Sequence, residues 1–272
     1  MPRVPITNLD DPAIAIYRDL KHTNLTRNLD QFVVEGEKLF GRLLESRFPL
    51  VSVLCSDRHE QEVAARVPEG VPWYVVPRER ISAVVGFPFH RGVLACAERR
   101  PWPDLERVAR TLGTEATLVV CPRLENPDNL GTIARIADVF GADAILVGGR
   151  CPDVFSRRVL RVSMGTALRL PVLSRADLER DVEQLRASEG FVLAATVVDA
   201  AAEPIGTFRR PARLALFLGA EGDGLGPEWV ERCDRRLTIP MRPGAESLNV
   251  GVAAGIFLHH LMAPAATRSH PA

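Results

Sequence analysis

The segment Leu214–Leu261 constrains this chain more than any other. It opens with an unbroken apolar run, Leu214 to Leu218, which predicts a buried strand. The run breaks into Gly219-Ala220-Glu221-Gly222-Asp223-Gly224, and a helix can start at Pro227, because proline suits the first helical position. A second short strand, Leu237 to Ile239, leads into the loop Pro240 to Glu246. After it Ser247-Leu248-Asn249 opens a final helix, with Ser247 as its N-cap. Two loops therefore follow two strands. In open α/β sheets ligands settle beyond the carboxyl ends of strands, where glycine lets backbone N–H and C=O groups approach a polar ligand closely.

A glycine-rich loop after a strand is often only a tight turn. A dinucleotide site fits this one poorly, since Asp223 interrupts a GxGxxG pattern and the next strand ends in Ile239-Pro240 instead of an acidic ribose ligand. Nor is Ser247 a hydrolase nucleophile. Its neighbours Glu246 and Leu248 do not form the GxSxG elbow.

The chain has 272 residues, room for two ordinary domains, and its 46% hydrophobic and 25% charged content suits soluble domains with real cores. Met1 to Pro12 lacks the apolar core of a signal peptide, and no run approaches the roughly 18 apolar residues of a membrane span, so a cytoplasmic protein is expected. The 5 cysteines, Cys55, Cys96, Cys121, Cys151 and Cys233, are scattered without metal-ligand spacing. They read as buried, reduced thiols, and no metal is expected. A formal net charge of +0 argues against indiscriminate coating of nucleic acid while leaving local recognition open.

Taken in order, residues 1–98 read as a small α/β domain. A short helix carrying Ile14, Tyr17 and Leu20 precedes a polar turn with Lys21 and Arg27. Phe32 to Glu37 is a strand running into the helix Lys38 to Ser46. Strand-like runs recur at Leu50 to Cys55, Trp73 to Val76 and Val93 to Ala97, with helical stretches at Glu60 to Val67 and Arg78 to Val84. Residues 99–104, with Pro101 and Pro103, read as a linker. Residues 105–264 form the second domain. Thr117 to Cys121 is a strand, and the loop Glu125 to Gly131 becomes a helix at Asn129 or Leu130, with Ile133, Ile136, Ala137 and Phe140 at core spacing. Arg135 lies about 200° round that helix from Ile133 and so faces a cleft or water. Further strands at Ala144 to Val147 and Phe191 to Val197 alternate with helices at Ser156 to Arg161 and Ala176 to Ser188, the pattern of a mostly parallel sheet wrapped by helices. The last helix, Leu248 to Met262, is apolar nearly all round, with Gly251 and Gly255 four apart. Sandwiching between its own sheet and a second subunit would satisfy it, which predicts a homodimer. The tail 265–272 is expected to be disordered.

Three segments together resemble the SpoU, or TrmH-like, branch of the SPOUT RNA methyltransferases. The first is Glu125-Asn126-Pro127-Asp128-Asn129-Leu130-Gly131-Thr132-Ile133-Ala134-Arg135, the second Leu218-Gly219-Ala220-Glu221-Gly222-Asp223-Gly224-Leu225, and the third runs from Ile239-Pro240-Met241 to Ser247-Leu248-Asn249-Val250. They occur in the family's order and span Thr117 to Leu261. Phe32-Val33-Val34-Glu35-Gly36-Glu37 is similar, more loosely, to the substrate-binding domain these enzymes often carry. Gly251 stands where the family often has serine and Asp128 where glycine is frequent.

The resemblance implies an α/β fold whose C-terminal parallel sheet, with helices on both faces, carries a trefoil knot. It implies binding of S-adenosyl-methionine through Gly219, Ala220, Glu221, Gly222, Ile239, Met241 and Leu248, and methyl transfer to a ribose 2′-hydroxyl of ribosomal or transfer RNA by a homodimer. Arg135 would activate the hydroxyl, aided by Asn129, Glu221, Ser247 and Asn249. Lys21, Arg27, His90 and Arg91 are candidate RNA contacts of the first domain. A catalytically silent RNA-binding protein of the same fold is the alternative, and a nucleotide-dependent small-molecule enzyme the third.

Overall fold

The computed structural model of the chain describes residues 3–20, 29–102, 104–175 and 177–262. In chain order its elements begin β1 (Arg3–Pro5), β2 (Gln31–Glu35), α1 (Glu37–Leu44), β3 (Leu50–Ser56), α2 (Glu60–Ala64), β4 (Trp73–Val76), α3 (Arg78–Val85), β5 (Val93–Glu98), α4 (Leu105–Thr111) and β6 (Ala116–Cys121). There follow α5 (Pro127–Val139), β7 (Ala144–Gly148), α6 (Arg157–Val162), β8 (Val172–Arg175), α7 (Leu178–Glu189), β9 (Val192–Thr196), β10 (Glu203–Pro204), β11 (Arg213–Phe217), α8 (Pro227–Arg232), β12 (Arg235–Thr238) and α9 (Val250–Met262). They group into two compact units, the described residues up to Arg100 together with Phe155–Arg169, and Pro101–Val154 together with the described residues from Leu170 on. The assignment of Phe155–Arg169 to the first unit differs from the expectation that residues 105–264 stay together.

The first unit holds a sheet of order β1-β4-β3-β5-β2, parallel from β1 through β3, with β5 antiparallel to both its neighbours. Period-two alternation puts Val33, Leu54, Leu94 and Cys96 into one core with Ile14, Tyr17, Ile81 and Val84. The Tyr17 hydroxyl shares a hydrogen bond of 2.7 Å with Ser52 Oγ, so the buried phenol keeps a partner. Arg99, read from sequence as linker, is tied to this sheet: its N–H donates to Asp30 O at 2.6 Å and its Nε to Gln31 O at 2.7 Å. Segment Phe155–Arg169 joins through an ion pair of Arg157 with Glu35 at 3.3 Å, and Glu35 is only 5% exposed.

The second unit is built on a parallel sheet of order β10-β12-β9-β11-β6-β7-β8. Leu118, Val120, Leu146, Leu193 and Phe217 pack on one face against Leu105 and Val108 of α4 and Leu178, Val182 and Leu185 of α7. Alternation turns Thr117, Val119, Ile145 and Leu216 to the other face, and Thr117 Oγ1 there lies 3.2 Å from Met262 Sδ of α9. Helix α5 begins at Pro127, earlier than the sequence suggests. The Asn126 side chain accepts from Asp128 N–H at 2.8 Å, and a proline can fill the position that has no N–H to satisfy. Helices α5 and α9 pack closely. A Cβ on Gly251 would lie 2.8 Å from Thr132 Cγ2, and one on Gly255 3.6 Å from Ile136 Cδ1. The glycines of α9 are therefore turned to its own α5, and the close approach they permit is within the chain.

Candidate active site

Strand β11 is central in its sheet, between β9 and β6. Leu218 still donates its N–H to Val120 O at 2.9 Å, so the chain leaves the sheet at Gly219. A Cβ on Gly219 would lie 2.2 Å from the carbonyl carbon of Gly224, and only glycine lets the loop fold back so tightly. Ala220 and Gly224 exchange two backbone hydrogen bonds, of 2.9 and 3.1 Å. That closes the loop and leaves Glu221, Gly222 and Asp223 at its exposed tip.

The second loop runs from Ile239 to Asn249. Here the structure corrects the capping residue, because Asn249 Oδ1 accepts from the N–H groups of Gly251 at 2.9 Å and Val252 at 3.3 Å. Asn249 is thus the N-cap of α9, satisfying two of the N–H groups that a helix start leaves without partners. Ser247 stands two residues too early to reach them and is exposed in the loop.

Asn129, in the first turn of α5 and 7% exposed, joins both loops. Its Nδ2 donates to Glu221 Oε1, and its Oδ1 accepts from Asn249 Nδ2 at 3.0 Å. One side-chain amide therefore holds the three sequence segments together. A buried amide satisfied on both ends is rigid, since releasing either bond would strand a polar group.

The two loops wall a cavity of about 610 Å³. Gly219, Ala220, Glu221, Gly222, Ile239, Met241 and Leu248 line it, as do Ser247 and Asn249. Thr196, Val198 and Phe257 also contribute, residues that no local pattern in the sequence could have singled out. The volume lies within the roughly 300–1,000 Å³ of small-molecule sites. Loop backbone supplies donors and acceptors, while Ile239, Met241 and Leu248 supply apolar wall. That mixture fits the adenosine of S-adenosyl-methionine, whose neutral purine can use main-chain donors and acceptors and an apolar wall.

Not every expected residue joins this site. Arg135 does not line the cavity; it is exposed on α5 and has no hydrogen-bond or ion-pair partner among the described residues. In the first unit His90 is exposed, and Arg91 pairs with buried Glu35 at 3.4 Å. Lys21 and Arg27 lie outside the described residues.

Residues 116–259, which carry both loops and α5, match the model of the SpoU rRNA Methylase family. The chain belongs to that family. It is 34% identical over 255 residues to an uncharacterized tRNA/rRNA methyltransferase of Mycobacterium bovis, across 91% of this chain and 87% of the relative. It is 30% identical over 241 residues to the 23S rRNA guanosine 2′-O-methyltransferase RlmP of Bacillus subtilis, across 88% and 92%. Among solved structures it is similar to an AdoMet-bound rRNA methyltransferase from Sinorhizobium meliloti, with a TM-score of 0.80, 26% identity and coverage of 95% and 97%. The α/β fold with a parallel SPOUT sheet, expected from the family resemblance, is the one found. No helix among the described residues is long and apolar enough to cross a membrane.

Proposed function

We propose that this chain is an enzyme that methylates a ribose 2′-hydroxyl of ribosomal or transfer RNA with S-adenosyl-methionine as donor. The observation that carries it is the single amide of Asn129, which fixes two strand-end loops around one cavity inside the segment that matches the family. Relatives that span most of their length with this chain are named RNA methyltransferases, one of them a guanosine 2′-O-methyltransferase.

S-adenosyl-methionine, when bound, supplies an electrophilic methyl group on a sulfonium. The chain's own task is to hold donor and acceptor and to make the ribose oxygen reactive. Gly219 to Gly222, Ile239, Met241 and Leu248 would hold the donor. Because the Asn129 amide bonds to both the Asn249 amide and the Glu221 carboxylate, we assign all three to positioning the loops. The exposed groups Ser247 and Arg135 are left to meet the substrate. A 2′-hydroxyl is a very weak acid and develops negative charge as it attacks. A guanidinium holds its proton too tightly to act as a base, so Arg135 stabilises that oxygen electrostatically instead of removing its proton. Phosphate or water takes the proton.

Two further assignments belong to this reading. The first unit selects the RNA, with His90 and Arg91 as its candidate contacts, and the enzyme works as a cytoplasmic homodimer through the exposed sides of α5 and α9. The decisive experiment compares Arg135→Ala and Arg135→Lys with the unaltered protein. Loss of a preorganised donor of this kind costs about 100- to 1,000-fold in turnover, so Arg135→Ala should lose nearly all methyl transfer while keeping cofactor affinity and melting temperature, with Arg135→Lys in between. Retention of most turnover by Arg135→Ala would rule this role out.

A further inference from the structure

A second cavity, of about 470 Å³, shares the Gly219–Leu225 loop with the cofactor cavity, and Gly219, Ala220 and Asp223 line both. It lies beyond the ends of β6 and β7 and against the starts of α7 and α8. Part of its wall is bare backbone: a Cβ on Gly148, at the end of β7, would lie 2.1 Å from the carbonyl oxygen of Pro122, so no side chain can stand there. Trp229 closes another side, its ring centred 6.0 Å from that of buried Phe217.

The rim carries charge of both signs. Arg150 and Glu228 line the cavity, are exposed, and have no hydrogen-bond or ion-pair partner among the described residues. The Glu228 carboxylate is drawn over Gly226, where a Cβ would lie 2.4 Å from its Oε2. An apolar ligand would leave both charges without use. Of the other charged groups in the lining, Asp177 caps α7, Glu179 pairs with Arg232, and Asp223 pairs with Arg123. A nucleotide engages the two that remain, with its flat ring against backbone and indole, its phosphate on the Arg150 guanidinium and its base edge on the Glu228 carboxylate. A carboxylate at neutral pH only accepts hydrogen bonds. Among the RNA bases guanine presents an imino and an amino donor side by side, which one carboxylate can accept together.

We propose that this cavity holds a guanine base of the substrate RNA beside the acceptor ribose, with Arg150 on a phosphate and Glu228 on the N–H edge of the base. The involvement of RNA rests on the methyltransferase reading; the preference for guanine does not. One loop separates this cavity from the donor's, so a base seated here leaves its nucleotide, or the next, within reach of the donor.

The test uses the full-length protein, with guanosine, adenosine, cytidine and uridine monophosphates as probes and tryptophan fluorescence as readout. It is repeated on Arg150→Ala and Glu228→Gln, exposed positions chosen because neither supports the core. Guanosine monophosphate should bind about fivefold or more tightly than the others, the scale of one bidentate base contact. Glu228→Gln should erase that preference. Both variants should raise KM for RNA by about tenfold with kcat largely kept, and cofactor affinity measured by titration calorimetry should be unchanged. Equal binding of the four monophosphates, or an unaltered KM in both variants, overturns the proposal. Calorimetry of the unaltered protein reports on the methyltransferase reading separately: if no cofactor binds, that reading fails, while guanine preference and its loss in Glu228→Gln still decide the cavity.

Discussion

Asn249 Nδ2 donates to Asn129 Oδ1 at 3.0 Å across 120 positions of sequence, while the other end of the Asn249 side chain caps α9. One residue thus fixes the start of a helix and the position of a loop, and the two roles can be separated. Aspartate keeps the accepting oxygen and suits an N-cap, but it cannot donate to Asn129. Asn249→Asp should therefore keep the cap of α9 but leave Asn129 Oδ1 without its donor, which costs about 1–3 kcal/mol of stability and loses cofactor affinity and methyl transfer. Asn249→Ala loses the same donor and also about 1 kcal/mol of capping energy, so its melting temperature should lie about 2–4 °C lower still. Thermal melts beside cofactor titration check this; equal affinity in Asn249→Asp and the unaltered protein would remove the positioning role.

Contact between α5 and α9 depends on the missing side chain at Gly251. With Thr132 Cγ2 only 2.8 Å from where a Cβ would stand, Gly251→Val overpacks the interface and should destabilise by about 1–3 kcal/mol. The stiff β-branched Thr132 cannot bend aside without changing rotamer. Combining Gly251→Ala with Thr132→Ser should recover most of the loss caused by Gly251→Ala alone, and a double-mutant cycle in denaturant measures the recovery. Strict additivity would mean that the two residues do not press on one another.

Burial raises the cysteine thiols, Cys55, Cys96 and Cys233 to about 12 and Cys151 to about 11, against an ordinary 9.0. These are acids whose neutral form the fold favours. Their contribution to stability is therefore complete below about pH 9, where the unfolded chain keeps its thiols protonated, and is lost as pH rises through 11 to 12. At pH 8 the native thiols should react with a disulfide reagent roughly a hundredfold more slowly than the denatured chain, because so little thiolate is present. Labelling of half-buried Cys151 at the rate of the denatured chain would contradict the upward shift of its thiol.

Much of the site was legible because it sits where strand pattern meets glycine. The run Leu214 to Leu218 could only be a buried strand, and Gly219 marked where the chain left it. The edge strands escaped notice for a physical reason: β1 has 3 residues and β10 has 2, too short for a period of two to register. Strand β8, Val172–Arg175, has 4 residues directly after Pro171 and is likewise too short for the alternation to register. The sequence reads Ser247 as the cap of the last helix, and only the positions of the Gly251 and Val252 N–H groups assign that role to Asn249, an equally good capping residue. Nor does any spacing reveal that Asn129 meets Glu221 and Asn249, or that Glu35 meets Arg157, because those pairs are made by the sheet order and not by local periodicity.

The remaining prediction concerns the outer side of α9. Val252 is 52% exposed and Ile256 39%, four residues apart on one face, and Val139 of α5 is 67% exposed. The two helices are neighbours, with the rings of Phe140 and His259 centred 5.7 Å apart. Large apolar side chains on adjacent helices make a patch that water covers poorly. Arg135 stands one turn from Val139 on the same side of α5, so a second copy seated on this patch would also approach the residue assigned to the ribose oxygen. Light scattering should then give twice the chain mass of 29.9 kDa for the unaltered protein. Val252→Glu combined with Ile256→Glu should give the single mass. Because both positions are exposed, the variant should keep its fold by circular dichroism while methyl transfer falls with the loss of dimer. A monomeric unaltered protein at micromolar concentration, or a dimer that survives both glutamates, would place the interface elsewhere and leave Arg135 to act within its own chain.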